Sequence, residues 1–212
     1  ITVTAADAGA VETIDGVTVT GPTNLIATVG KIYTVEYTGS AVEGSTDLAL
    51  TASPSTGITI TPGTKTGKSQ TFNVTAADSV AVETSITLTG SATNADVGGG
   101  TPVTGTTTAT VKDKIESIVV ATTPLNPAQG VTGQAVTATL TTKGTLTSPT
   151  YAWTVSADDA GGDASKITYA DAAVEDTTFS VAADCPVGDY TLTLTVGATG
   201  LTGDSVTTGS VT

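Results

Sequence analysis

One phrase occurs three times along this 212-residue chain, and it constrains the fold more than any other feature. The copies are Val3-Thr-Ala-Ala-Asp-Ala-Gly-Ala-Val-Glu-Thr13, Val74-Thr-Ala-Ala-Asp-Ser-Val-Ala-Val-Glu-Thr84 and Val181-Ala-Ala-Asp-Cys-Pro-Val-Gly-Asp-Tyr190. The second and third copies lead into strict alternation of apolar residues with Thr, at residues 86–89 and 192–196. An internal repeat indicates modular construction, and these two copies lie about one β-sandwich domain apart. We therefore expect tandem β-modules rather than one large domain.

Thr and Val dominate the alternating segments, and this predicts a fold made almost entirely of β-strands. β-branched side chains fit a pleated, half-buried surface better than a helix. The chain is long enough for two sandwiches with cores of their own. We predict tandem immunoglobulin-like β-sandwiches at residues 14–113 and 114–212, with the boundary at the charged stretch Lys112-Asp-Lys114. Residues 1–13 are either the last strand of an upstream repeat or an arm that pairs with a neighbouring chain's sheet edge.

Turn signals between the alternating segments predict seven strands in each module. In the first module, the strands are expected within residues 14–22 and 27–37 and at 47–52, 57–61, 70–75, 85–90 and 104–111. In the second module, they are expected at residues 115–124, 129–140, 150–155, 166–169, 177–181, 190–196 and 204–212. In both modules, a Pro marks the crossover between the first two strands.

The charge and the rarer residue types exclude several classes of function. The net charge is −13, so the electrostatic field of the chain repels the phosphates of nucleic acid. The chain also has no Arg, the residue best suited to bind phosphate through two hydrogen bonds. We therefore expect no binding to nucleic acid. No apolar stretch is long enough for membrane insertion. His is absent and Cys185 is the single Cys, so neither the commonest general base nor an intrachain disulfide is available. Met is absent even at position 1, which indicates a removed leader or a segment of a longer protein.

Part of the sequence pattern of a phosphate-binding loop occurs at Gly63-Thr-Lys-Thr-Gly-Lys-Ser69, which ends in Gly-Lys-Ser. Such loops need four residues between the glycines and a helix that begins at the final Ser. Here three residues separate the glycines, and a strand pattern follows at residues 70–74. We therefore predict a polar hairpin turn. Asn73-Val-Thr75 fits the glycosylation sequon by pattern alone, and we assign it no role.

Asp158, Asp159 and Asp163 lie in a Gly-rich loop after the strand at residues 150–155. Their oxygens could collect a weakly bound Ca²⁺ ion, although the alternating ligands and bidentate Glu of an EF-hand are missing. A solvated acidic turn is the favoured interpretation. We assign no cofactor and no metal to the chain, and we expect no enzyme activity, because no nucleophile has the partners that catalysis requires.

The aromatic residues of the second module are predicted to be structural. Trp153 shares one pleat face with Tyr151 and Val155, as the core Trp of a sandwich strand does, whereas the functional alternative is an aromatic ligand platform. Tyr190 stands where a corner tyrosine bonds back to the backbone. Cys185 is expected to be a small, partly buried filler. The predicted structural core comprises Trp153, Tyr151, Phe179, Tyr190, Leu192 and Leu194. The first module has no Trp and has Thr84 in place of Tyr190, so we expect it to have a smaller core and a less stable sandwich.

Residues 115–212 resemble the immunoglobulin-like repeats of the highly immunogenic outer capsid protein (Hoc) of large tailed bacteriophages. The likeness lies in residues 123–136, in Thr150-Tyr-Ala-Trp-Thr-Val155, in Thr178-Phe-Ser180 and in Ser205-Val-Thr. Bacterial Ig-like surface modules and polycystic-kidney-disease-like modules are similar too, through residues 186–196. The sequence Trp-x-Phe-Gly-Asp-Gly of the latter family is replaced here by Trp153-Thr-Val-Ser-Ala-Asp-Asp159.

The resemblance to Hoc implies a non-catalytic decoration protein on a virion surface, whose tandem domains attach to the capsid and adhere weakly to other surfaces. The alternative is a segment of a bacterial extracellular adhesin or surface-layer stalk, which implies an extracellular or cell-surface location. Either function implies protein partners, namely the capsid or neighbouring subunits, and a host-surface glycan is a further candidate. These expectations rest on analogy of fold, which does not by itself decide function.

Overall fold

The computed structural model describes residues 11–123 and 126–212. It divides the chain into two compact units, residues 1–111 and 112–212, which we call unit 1 and unit 2. Both units are β-sandwiches, as predicted. Most of the arm predicted at residues 1–13 lies outside the described residues. Within residues 11–123 and 126–212, no helix is long and apolar enough to cross a membrane.

Within residues 11–111, unit 1 consists of two four-stranded sheets. Its strands are β1 (Gly16–Thr20), β2 (Asn24–Ile26), β3 (Lys31–Thr38), β4 (Asp47–Ser53), β5 (Ile58–Thr66), β6 (Ser69–Ala76), β7 (Ser85–Thr93) and β8 (Val103–Lys112). The first sheet has the order β1-β3-β6-β5 and the second has the order β2-β8-β7-β4. The short strand β2 was not predicted. After β1, the chain crosses to the other sheet and pairs β2 with β8.

The alternation in the sequence produces the core of unit 1. In β3, Tyr33, Val35 and Tyr37 point inward and are at most 1% exposed. Successive side chains of a strand point to opposite faces, so the residues between them face outward. Gly90 of β7 lies where the sheets approach, and a Cβ there would come within 2.6 Å of a Val19 methyl group. The two sheets therefore pack without room for an additional methyl at that position.

Unit 2 has the strand arrangement of a seven-stranded immunoglobulin sandwich. Its described strands are β9 (Lys114–Thr123), β10 (Gln134–Lys143), β11 (Thr147–Ala157), β12 (Ile167–Tyr169), β13 (Thr177–Val181), β14 (Tyr190–Thr199) and β15 (Thr208–Val211). One sheet has the order β12-β13-β10-β9 and the other has the order β11-β14-β15. The last strand is shorter than predicted and begins at Thr208 rather than 204. Val206 N–H, before that strand, donates to the Ile115 carbonyl at 2.8 Å.

The prediction that the first module has the smaller core is wrong. Among the described residues, the core of unit 1 contains 18 buried residues, whereas that of unit 2 contains 13. Tyr33, Tyr37 and Phe72 supply the aromatic bulk that Trp153 and Phe179 supply in unit 2. The alternating pattern of β3 contained both tyrosines, so the absence of Trp did not leave this core without large side chains.

Candidate functional site

The acidic loop after β11 uses its carboxylates to hold its own backbone and a neighbouring strand. Asp158 accepts a hydrogen bond from the Thr191 hydroxyl at 2.7 Å, and Asp159 accepts one from Asp189 N–H at 3.0 Å. Asp163 accepts from both the N–H and the hydroxyl of Ser165, and these bonds lower the pKa of its carboxyl. Among the described residues, no group of three or more His, Cys, Asp or Glu is arranged to hold a metal ion. The three carboxylates therefore serve as hydrogen-bond acceptors for nearby groups of unit 2.

The segment at residues 63–69 forms the end of a hairpin, as predicted. β5 and β6 pair antiparallel, with Thr66 opposite Ser69, and the register shifts at a bulge between Pro62 and Lys65. Both lysines of the segment are used to hold loops of unit 1. Lys65 Nζ donates to the Glu43 carbonyl at 2.8 Å, and Lys68 Nζ donates to the Gly39 carbonyl at 2.5 Å.

Trp153 lies inside unit 2, and the structure places it away from any surface platform. Trp153 is 4% exposed, and its indole N–H donates to the Val174 carbonyl at 2.9 Å. Its ring centroid is 5.8 Å from that of Tyr169. Tyr151, two residues earlier, is half-buried, and its hydroxyl donates to Glu175 at 3.2 Å. Burial, followed by the charge of Glu175, raises the pKa of Tyr151.

Cys185 and Tyr190 close the corner between β13 and β14. The Tyr190 hydroxyl donates to the Pro186 carbonyl at 2.9 Å and accepts from Asp163 N–H at 3.2 Å. The Cys185 thiol is buried and lies 3.5 Å from the same hydroxyl, and its hydrogen bond raises the pKa of Tyr190. The nearby ion pair of Lys166 with Asp184, at 2.6 Å, lowers the pKa of that carboxyl. These hydrogen bonds and this ion pair hold the corner together.

Beside this corner, unit 2 contains a cleft that the sequence did not predict. We call it the unit 2 cleft: it lies between the loop of residues 126–129, the loop of residues 185–190 and the ends of β9 and β15, and has a volume of about 470 Å³. Its lining includes the buried core residues Ile167, Phe179, Val181 and Leu192. Asp189 is the one charged side chain among the described lining residues. The volume lies within the range of ligand pockets.

The first and last strands of unit 2 both border the unit 2 cleft. Near the start of both strands, the Val206-to-Ile115 bond joins them. At Gly209 they touch, since a Cβ at that position would come within 2.5 Å of the Ile118 side chain and 2.7 Å of the Ile118 carbonyl oxygen. Farther along, Thr122 and Thr212 line the cleft. No local sequence pattern signals the cleft, because residues that are distant in the chain line it.

No protein-family model and no curated protein matches this chain. Among solved structures, it is similar to the adhesin InvE of Yersinia pseudotuberculosis, with 17% identity and a TM-score of 0.33 over 92% of this chain and 57% of that one. It is also similar to the D00-D0 domain of intimin, with 13% identity and a TM-score of 0.34 over 92% of this chain and 98% of that one. A third similar structure comprises extracellular cadherin domains 3–6 of protocadherin gamma B2, with 11% identity and a TM-score of 0.33 over 92% of this chain and 49% of that one. The chain spans about half the length of the InvE and protocadherin structures.

Proposed function

We propose that this chain is a non-catalytic segment of a bacterial extracellular adhesin or surface stalk, in which the two sandwiches act as spacers. The proposal rests on the structural hydrogen bonds that the potentially reactive side chains make. The thiol of Cys185 and the hydroxyl of Tyr190 hold the loop corner of unit 2, and Lys65 and Lys68 hold loops of unit 1. A catalytic site needs a nucleophile, a base and an orienting group that converge on one position.

The outer faces of the sandwiches support the same proposal. On the sheet β2-β8-β7-β4 of unit 1, outward-facing hydroxyls lie opposite one another in the strand register. Thr87 pairs with Thr108, Thr89 with Thr106 and Ser91 with Thr104. These paired hydroxyls make the face hydrated, and Asp47 of β4 adds a carboxylate at its end. A polar face of this kind suits a spacer that is surrounded by water and by copies of itself.

Immunoelectron microscopy with an antibody against the 212-residue chain tests this proposal. We expect labelling on the envelope of intact producing cells, and loss of the label after protease treatment of those cells. Virions purified from the same culture serve as the comparison sample. Labelling confined to the cytoplasm of sectioned cells, or turnover of a substrate by the purified chain, would contradict the proposal.

A virion decoration protein is the second candidate function, and the resemblance of residues 115–212 to the Hoc repeats favours it. The partners would then be capsid subunits, whereas a stalk would contact neighbouring copies or a host-surface glycan. Label at symmetry-related positions on purified virions, with none on virion-free cells, would select this candidate.

A further inference from the structure

Unit 1 contains a strand at the place where unit 2 has its cleft. After β1, the chain crosses to the second sheet and adds β2 to the outer edge of β8. Leu25 and Ile26 of β2, and Ala27 after it, are at most 8% exposed. Thr110 N–H of β8 donates to the Thr23 carbonyl at 2.9 Å. The last strand of unit 1 is therefore covered along this edge, and apolar side chains fill the space between the sheets.

In unit 2, the described residues 126–128 form no strand, and the sequence explains why. Both units place an Asn two residues after the crossover proline, at Asn24 and Asn126. In unit 1, Leu-Ile follows this Asn, whereas Pro127-Ala128 follows it in unit 2. Pro has no N–H to donate to a neighbouring strand, and Ala offers little apolar volume. Pro127 and Ala128 accordingly line the unit 2 cleft without filling it.

The edge of β15 has backbone groups in position to bind a further strand. Val196 N–H donates to the Thr207 carbonyl at 2.8 Å, and the same register continues along the strand, with Leu194 opposite Gly209 and Thr193 opposite Ser210. Bonded and non-bonded pairs alternate in an antiparallel ladder. The N–H and C=O of Ser210 therefore point away from β14. β15 ends its sheet, and in the described chain no strand forms a ladder with this edge, which β9 contacts at Gly209.

We propose that the unit 2 cleft binds an extended, uncharged apolar peptide segment of another polypeptide, which pairs with the free edge of β15 as β2 pairs with β8. Main-chain hydrogen bonds to Ser210 would give such a segment its direction, and alternate apolar side chains would enter the cleft. The cleft lining carries a single carboxylate and the chain a net charge of −13, so an acidic segment is disfavoured. This inference does not depend on where the protein is located.

The test uses a blocked synthetic peptide with the sequence of residues 22–29, Pro-Thr-Asn-Leu-Ile-Ala-Thr-Val, titrated into the full chain. The control peptide carries Leu25→Ser and Ile26→Ser. We expect saturable binding of the first peptide, with a Kd of about 10 µM to 1 mM for so short a segment, and none of the control. No binding of the first peptide at millimolar concentration would overturn the proposal.

A pair of variants at Ser210 separates strand pairing from simple apolar binding. Ser210→Pro removes only the N–H that points away from β14, and an edge strand tolerates Pro at such a position. We expect Ser210→Pro to weaken peptide binding about tenfold and Ser210→Ala to leave it unchanged within about twofold. Equal binding by both variants would overturn strand pairing and identify the cleft as a site for small apolar groups.

A further variant keeps the test decisive if Ser210→Pro does not fold. The double variant Pro127→Leu with Ala128→Ile restores the residues of β2, and we expect it to abolish peptide binding by filling the cleft from within. Full binding by the double variant would place the peptide elsewhere and contradict the proposal.

Discussion

The hydroxyl of Tyr190 donates to the carbonyl of Pro186, four residues earlier, at 2.9 Å. This bond fastens the loop between β13 and β14 to the start of β14. The same hydroxyl accepts from the Asp163 N–H, so one side chain joins two loops at this end of unit 2.

Tyr190→Phe should destabilise unit 2 by about 1–3 kcal/mol, because a partly buried carbonyl and a partly buried N–H both lose their partner. Urea denaturation of the full chain measures the change. Tyr151→Phe is the matched control: its hydroxyl bonds only a carboxylate that water can also solvate, and we expect a loss below about 1 kcal/mol. Equal losses of unfolding free energy in the two variants would mean that the hydrogen bonds of Tyr190 contribute no more to stability than that of Tyr151.

Trp153→Ala should cost about 3–5 kcal/mol, because it removes a buried indole and leaves a cavity between the sheets of unit 2. We expect unit 2 to melt at a lower temperature while unit 1 remains folded. Differential scanning calorimetry, with hydrogen exchange to assign the transitions, measures this. Ile32→Ala in unit 1, where the side chain is 57% exposed, should change stability by less than about 0.5 kcal/mol. An unaltered melting profile for Trp153→Ala would show that the indole is not part of the core.

Gly105→Ala should destabilise unit 1 by at least about 2 kcal/mol, since the new methyl would lie 1.9 Å from the Val17 carbonyl oxygen and the backbones would have to separate. Gly44→Ala is the control, because nothing lies within 4 Å of the added Cβ. We expect the control to unfold within about 0.5 kcal/mol of the unmodified chain in urea. A small effect of Gly105→Ala would mean that β1 and β8 can move apart freely.

The ion pair of Lys114 with Asp204, at 2.6 Å, predicts a pH dependence of stability in unit 2. The hydrogen bond from Lys114 lowers the pKa of Asp204 to about 2, below its value of about 3.9 in an unfolded chain. An acid with a depressed pKa stabilises the fold above its unfolded pKa, and this contribution disappears as the pH falls toward 2. The stability difference between the unmodified chain and Asp204→Asn should therefore decrease between about pH 4 and pH 2.

Denaturation in urea at a series of pH values measures this difference. The side chains are exposed to solvent, so the effect should be small and should decrease further in 1 M salt, where screening acts over about 3 Å. A difference that is independent of pH would assign the role of Asp204 to its hydrogen bonds rather than to its charge.

Alternation of side chains predicted the strands well, and local turn chemistry predicted the hairpin after β5. The strand β14, for example, was expected from the repeated Leu-Thr pairs and is present. β2 was missed because three residues after a proline are too few to show a period. The unit 2 cleft was missed for a different reason: residues such as Thr122 and Thr212 are distant in sequence, and they line one space only when both sheets are in place. The burial of Tyr33 and Tyr37 follows from the alternating pattern of β3, in which both occupy inward positions.

The bulge at Pro62 affects how copies of this chain interact when they are held at high local concentration. β5 is the outermost strand of its sheet, and long flat edges of this kind can fuse with the edges of other copies into fibres. Pro62 supplies no N–H, and the register shift that follows it interrupts the even spacing that an incoming edge would need. Crowded copies of this chain should therefore resist amyloid-like assembly through β5.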